Sequence, residues 1–110
     1  MVKYNSQHLN AVFSALSDET RRGIVASLTK KSLSAQELAA PYDMSLPAIS
    51  KHLKVLEKAE LVERDVQGRK HIFSLNVSTL EQASDWLEQH QKFWHQSLSK
   101  LDSYLIKKMR

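Results

Sequence analysis

The chain contains no cysteine, and its 110 residues include only two glycines and two prolines. Without thiols, disulfides, thiolate metal sites and thiol-based redox sensing are excluded. No stretch approaches the ~20 apolar residues needed to span a bilayer, and the opening MVKYNSQHLN lacks the apolar segment of a signal peptide, so a cytoplasmic location is expected. Catalytic signatures are missing as well: there is no Gly-rich phosphate loop, no GxSxG, no HExxH and no conspicuous pair of carboxylates. Serine, histidine and aspartate occur only as scattered residues, and no enzymatic activity is expected.

What is present is 42% hydrophobic and 25% charged, the composition of an ordinary globular, mainly helical protein. The length fits one small domain, 1–110, with a single core. The net charge of +4 suits a polyanionic partner, but many proteins without one are equally basic, so the argument rests on where the charges sit.

In the stretch Ser45 to Lys58, SLPAISKHLKVLEK, the basic residues sort onto one face. On a helical wheel Leu46, Ile49, Leu53 and Leu56 gather on one side, and Pro47, Lys51, Lys54 and Lys58 on the other. Ser45 suits the N-cap, Pro47 falls in the first turn where a missing N–H costs little, and Met44 is placed to staple onto Ile49. Alone, such an amphipathic basic helix would suit DNA, a membrane surface or a partner protein equally.

Its neighbours narrow the choice. Leu9, Val12, Phe13 and Leu16 predict an amphipathic first helix over Ser6 to Leu16. Ser17 is expected to cap a second helix, with Ile24, Val25 and Leu28 in the core and Gly23 admitting a close helix crossing. Ser32 and Leu33 form a short extended link, and SAQE at Ser34 to Glu37 is a capping box that opens a third helix. With a turn from Pro41 to Met44, the third and fourth helices have the dimensions of a helix-turn-helix.

LVERD and RKHIFSL then flank VQG as a hairpin with Gly68 in its turn, a wing with Arg64, Arg69 and Lys70 clustered around it. STLE at Ser78 to Glu81 reads as a second capping box, opening a helix free of Pro and Gly as far as Lys108. Leu80, Ala83, Leu87, His90, Trp94, Leu98, Leu101 and Leu105 keep a three-or-four spacing, with Trp86, Phe93 and Tyr104 beside them. A stripe this long asks for a second subunit. The expected dimer interface is Leu9, Val12, Phe13, Leu87, His90, Trp94, Leu98, Leu101 and Leu105, paired across a twofold axis. The fold class is thus mainly α with a small β-hairpin wing: a winged helix-turn-helix whose flanking helices form a dimerisation layer.

The stretches ALSDETRRGIVASL, SAQELA, MSLPAISKHLKVLEKAELV and GRKHIFSL resemble the winged helix-turn-helix transcriptional regulators of the ArsR (ArsR/SmtB) family in order and spacing. The tail DWLEQHQKFWHQSLSKLDSYL, with its FWxxSLxxLxxYL pattern, resembles a metal-independent branch whose genes often lie beside those for START-like (AHSA1-type) domain proteins. In the family, members that sense arsenic carry cysteines in the third helix. Zinc sensors carry a D-x-H, then H-x-x-H/E pattern on the last helix, which Asp85, His90 and His95 do not reproduce. No two of the five histidines stand at the i, i+4 spacing of a helical metal clamp, so no metal or other cofactor is expected. Glu19 and Glu60 depart from the family, which often has Pro and Gly there.

The resemblance implies that Ser45, Pro47, Ala48, Ser50 and Lys51 face DNA bases. Their chemistry allows it: Lys51 can donate to guanine, the serines to base edges or phosphate, and Pro47 or Ala48 can pack on a thymine methyl. Lys54, Arg69 and Lys70 are expected on phosphate or, for the wing, in the minor groove. The reading is a sequence-specific DNA-binding regulator, a repressor by resemblance, that binds a pseudo-palindromic operator as a homodimer. The alternative is a winged helix used only for protein binding, which the cationic ridge argues against. Whether a small-molecule effector exists is not legible.

Overall fold

The computed structural model describes the backbone of residues 6–108 and the side chains of 7–93 and 95–100. Its elements run in the order α1 (Ser6–Ala15), α2 (Glu19–Leu28), β1 (Leu33–Ser34), α3 (Ala35–Ala39), α4 (Leu46–Lys58), β2 (Val62–Gln67), β3 (Lys70–Leu75) and α5 (Val77–Lys108). The chain divides into two compact units between Leu80 and Glu81.

In the first unit the apolar faces of four short helices converge. Val12 and Ala15 of α1, Ile24, Val25 and Leu28 of α2, Leu38 of α3, and Ile49, Leu53 and Leu56 of α4 are all buried. Phe73 reaches the same core from the sheet. That sheet is antiparallel with the strand order β1-β3-β2, so the short extended link at Leu33 becomes a third strand beside the hairpin. In the hairpin Gln67 faces Lys70 across a two-residue loop. Only Gly68 of that loop has positive φ (63°), as expected for a II′-type turn.

The helix ends explain the boundaries, and some differ from expectation. The cap of α2 is Asp18 rather than Ser17, because the Asp18 carboxylate accepts the Arg21 N–H. At α3 the capping box forms as read: Ser34 Oγ accepts the Glu37 N–H, and the Glu37 carboxylate accepts the Ser34 N–H. Ser45 caps α4 through the Ala48 N–H. The second capping box does not form at Ser78, since α5 already begins at Val77 with the Leu80 N–H on the Asn76 carbonyl. A long-range bond from the Asn76 N–H to the Leu61 carbonyl holds that start in place.

At the other end of α4, Glu60 takes the left-handed conformation with φ 60°. Its N–H reaches the Glu57 carbonyl and the Leu61 N–H reaches the Leu56 carbonyl, which together make a Schellman motif closed by buried Leu56 and Leu61. The glycine in α2 also has a different neighbour from the one expected. A Cβ at Gly23 would run into the hydroxyl of Tyr42, which comes from the turn before α4 and not from a crossing helix.

The second unit is the remainder of α5, a helix of 32 residues in all, about 48 Å long at 1.5 Å per residue. Leu87 and Leu98 are half-exposed or more, and with His90, Gln91 and His95 they line one face of it. No helix among the described residues is long and apolar enough to cross a membrane.

Candidate nucleic-acid interface

The surface of α4 separates into three sectors. Ile49, Leu53 and Leu56 point into the core. Pro47, Lys51, Lys54 and Lys58 form an exposed ridge, running along i, i+4, i+7 and i+11. Between the two, Leu46, Ser50 and Glu57 turn toward the wing. Leu46 therefore leaves the core to which the wheel assigned it: it is 43% exposed and lines a cleft. A residue at the margin of an apolar arc is buried only if a neighbour covers it fully, and at the start of α4 the cleft leaves Leu46 partly open.

The expected DNA-facing residues fall on this surface. Ser45, Pro47, Lys51 and Lys54 are exposed, and Ala48 and Ser50 are half-buried. Ser45 Oγ accepts the Ala48 N–H at 3.3 Å, which leaves its own proton available to donate. Arg69 and Lys70 stand exposed at the wing turn. Between α4 and the wing lies an open cleft of about 590 Å³, lined by Ser34, Gln36, Leu46, Ser50, Lys70 and Phe73 among others.

Arg64 does not join the free cations of the wing. Its guanidinium forks onto Glu57, with Nη2 to Oε1 at 2.6 Å and Nε to Oε2 at 3.2 Å. Nη1 lies 3.1 Å from His71 Nδ1, and the group sits over the Phe73 ring at 5.0 Å from its centroid. Strand register produces this, since Arg64 faces Phe73 directly across the hairpin. The period-two alternation Val62, Arg64, Val66 was the available signal that Arg64 points the same way as the buried Val62.

A polar cluster lies behind α4. Arg21 Nε donates to the Ala15 carbonyl at 2.6 Å and Nη2 to the Ser14 carbonyl at 3.2 Å, while Arg22 Nη1 donates to the Leu16 carbonyl at 2.9 Å. Two arginines in the first turns of α2 thus satisfy the last carbonyls of α1. Arg21 Nη1 also lies 3.3 Å from Nδ1 of His52, which stands 3.8 Å from the Asp18 carboxylate. His52 is half-buried and packs between α4 and the start of α2. The Asp18 carboxyl is held below its ordinary value chiefly by the Arg21 backbone N–H, with His52 contributing. Glu37 is held low by the backbone N–H and hydroxyl of Ser34.

Among the expected interface residues, Val12 is corrected. At 1% exposed it belongs to the protomer core, because its face of α1 packs within the first unit. Leu9 and Phe13 remain half-buried, and Leu87, His90 and Leu98 are exposed. His90 is held on its own helix, stacked on Trp86 at 4.0 Å with Nδ1 2.8 Å from the Trp86 carbonyl oxygen. The side chains of Trp94, Leu101, Tyr104 and Leu105 lie outside the described residues.

Residues 16–65 match a helix-turn-helix domain family. The chain is 35% identical over 79 residues to the transcriptional repressor SdpR of Bacillus subtilis (strain 168), covering 72% of this chain and 88% of that protein. A crystal structure of an ArsR family transcriptional regulator superposes with a TM-score of 0.75 at 33% identity, covering 80% of this chain and 97% of the other. An ArsR-like transcriptional regulator from Rhodococcus sp. RHA1 gives 0.72 at 35% identity, covering 86% and 90%. With its short helices, Ser45-capped fourth helix and basic two-stranded wing, the chain belongs to the ArsR family of winged helix-turn-helix transcriptional regulators.

Proposed function

We propose that the protein is a homodimeric transcriptional repressor that binds a pseudo-palindromic operator in the cytoplasm, both of its units serving one DNA-binding module. The observation that carries this is the exposed ridge of Lys51, Lys54 and Lys58 on α4, beside the exposed Arg69 and Lys70 of the wing. A ridge of this kind suits the major groove, with Lys51 on a base edge and Lys54 on phosphate. The wing pair suits an adjacent backbone or minor groove. Ser45 and Ser50 donate to base or phosphate, and Pro47 and Ala48 supply apolar contact to thymine methyls.

Dimerisation is supported by the exposed Leu87 and Leu98 on α5, at 51% and 53%, since leucines on one helix face that stay in water represent unused burial. Two protomers related by a twofold axis place their reading helices on half-sites about 34 Å apart or a multiple of that. Repression is taken over from the relative named a transcriptional repressor. The tail motif supports the metal-independent branch, so arsenite or zinc should not release the DNA.

Selection of bound fragments from random DNA with the purified protein tests the reading. An enriched inverted repeat supports function, symmetry and half-site spacing together. No enrichment at low salt would shift the assignment to a winged helix that binds protein.

A further inference from the structure

Arg64 is the one charged residue on the face of β2 shared with Val62 and Val66, and it makes the only ion pair joining β2 to α4 among the described residues. Exposed ion pairs generally contribute little. This one differs in three respects. The contact is a two-bond fork at 2.6 and 3.2 Å, and its side chains are only 30% and 28% exposed. The guanidinium also has a second hydrogen-bonding neighbour in His71 and a ring beneath it in Phe73, so three elements of bonding fix one planar group.

Glu57 is matched to it from the other side. Spaced i, i+4 and i+11, Leu46, Ser50 and Glu57 share the sector of α4 that turns to the wing, with Glu57 in the last turn, just before the αL residue Glu60. The base of the hairpin is anchored by buried Leu61 and Val62. Beyond them the exposed strand residues have no comparable tie to the reading helix.

We infer that the Glu57–Arg64 fork is a brace that sets the angle of the wing against the reading helix, so that Lys51 and Lys54 on one side and Arg69 and Lys70 on the other meet DNA as one rigid surface. Glu57 and Arg64 are then positioning residues and not DNA contacts. The inference rests on the DNA-binding reading above, and it makes a prediction opposite in sign to simple electrostatics. Removing a carboxylate beside a polyanion and freeing an arginine should tighten binding and steepen the salt dependence by ~0.9 for the added phosphate contact. Loss of a brace should weaken binding and make the salt dependence shallower.

The test uses the full chain as wild type, Glu57→Gln and Arg64→Lys, the last keeping the charge while losing the fork. In the free protein, NMR order parameters of the Gln67 to Lys70 amides should fall from near 0.85 to below about 0.6 in both variants, with those of α4 unchanged. On a fragment selected from random DNA, Glu57→Gln should bind about tenfold more weakly. Lys70→Ala should cost wild type several-fold and cost the Glu57→Gln background less than about twofold, because a wing already out of register has little left to lose. A tip that stays rigid in both variants, tighter binding by Glu57→Gln, or an equal cost of Lys70→Ala in both backgrounds would each overturn the brace. If the wild-type protein selects no DNA, the DNA-binding reading falls by itself, and the order parameters still decide whether the brace exists.

Discussion

Two lysines one turn apart on α4 are expected to do different work, and the difference is measurable. Lys54→Ala should weaken binding to all sequences and reduce the salt slope by ~1, as loss of one phosphate contact does. Lys51→Ala should relax preference at one base position, and a uniform loss across sequences would move Lys51 to the backbone. Glu60 offers a stability test at the same scale. A residue with a Cβ held at φ 60° carries a cost of roughly 1–2 kcal/mol that glycine avoids. Glycine gives part of that back through the greater freedom of its unfolded chain. Glu60→Gly should therefore stabilise by about 1 kcal/mol, read as a raised urea midpoint with unchanged slope at fixed protein concentration. An unchanged or lowered midpoint would mean that the Glu60 side chain contributes something the backbone geometry does not reveal.

At the scale of elements, α5 carries the clearest prediction. Leu98→Asp places a charge on the exposed stripe. If that stripe is the seam between subunits, the dimer should weaken by roughly 3 kcal/mol, about a hundredfold in dissociation constant, and sediment as a monomer at micromolar concentration. A variant that stays dimeric would place the seam elsewhere. What could be read from sequence divides here along a physical line. Local chemistry was legible: the Ser34 capping box, the Ser45 cap, Gly68 in the hairpin and the unbroken run of α5 each depend on residues within a few positions. Features set by distant partners were not. The start of α5 moved to Val77 because Asn76 is tied to Leu61, and Leu46 left the core because it faces an open cleft. The pairing of Arg64 needed a strand register before it could be seen. The exposure of Lys51, Lys54, Arg69 and Lys70 was legible in advance, since a cation on the polar side of a wheel or at a hairpin turn needs no distant partner to stay in water. The interface expected of α1 was less so, and Val12 went to the core.

For the molecule as a whole, acid should act through the helix caps. Asp18 and Glu37 both have folded-state carboxyls held below their ordinary values, by the Arg21 backbone N–H and by Ser34 respectively. Groups depressed in this way stabilise fully above their unfolded-state values of 3.8 and 4.5, and that contribution disappears as pH falls through the lower folded values. Asp18→Asn and Glu37→Gln should each lower the melting temperature at neutral pH and flatten its decline below about pH 4.5. Identical slopes in variants and wild type would show that neither cap governs acid unfolding.

The strand order β1-β3-β2 leaves β2 at the open edge of the sheet. An edge strand presents unpaired N–H and C=O groups on which another chain can build. Here the edge reads Val62-Glu63-Arg64-Asp65-Val66-Gln67, with three consecutive charges at its centre. Any added strand would have to bury or crowd those charges, so the wing resists recruitment into aggregates. Arg64 contributes to that protection as well as to orientation, and neutralising Glu63, Arg64 and Asp65 together would carry a solubility cost even for a protein never given DNA.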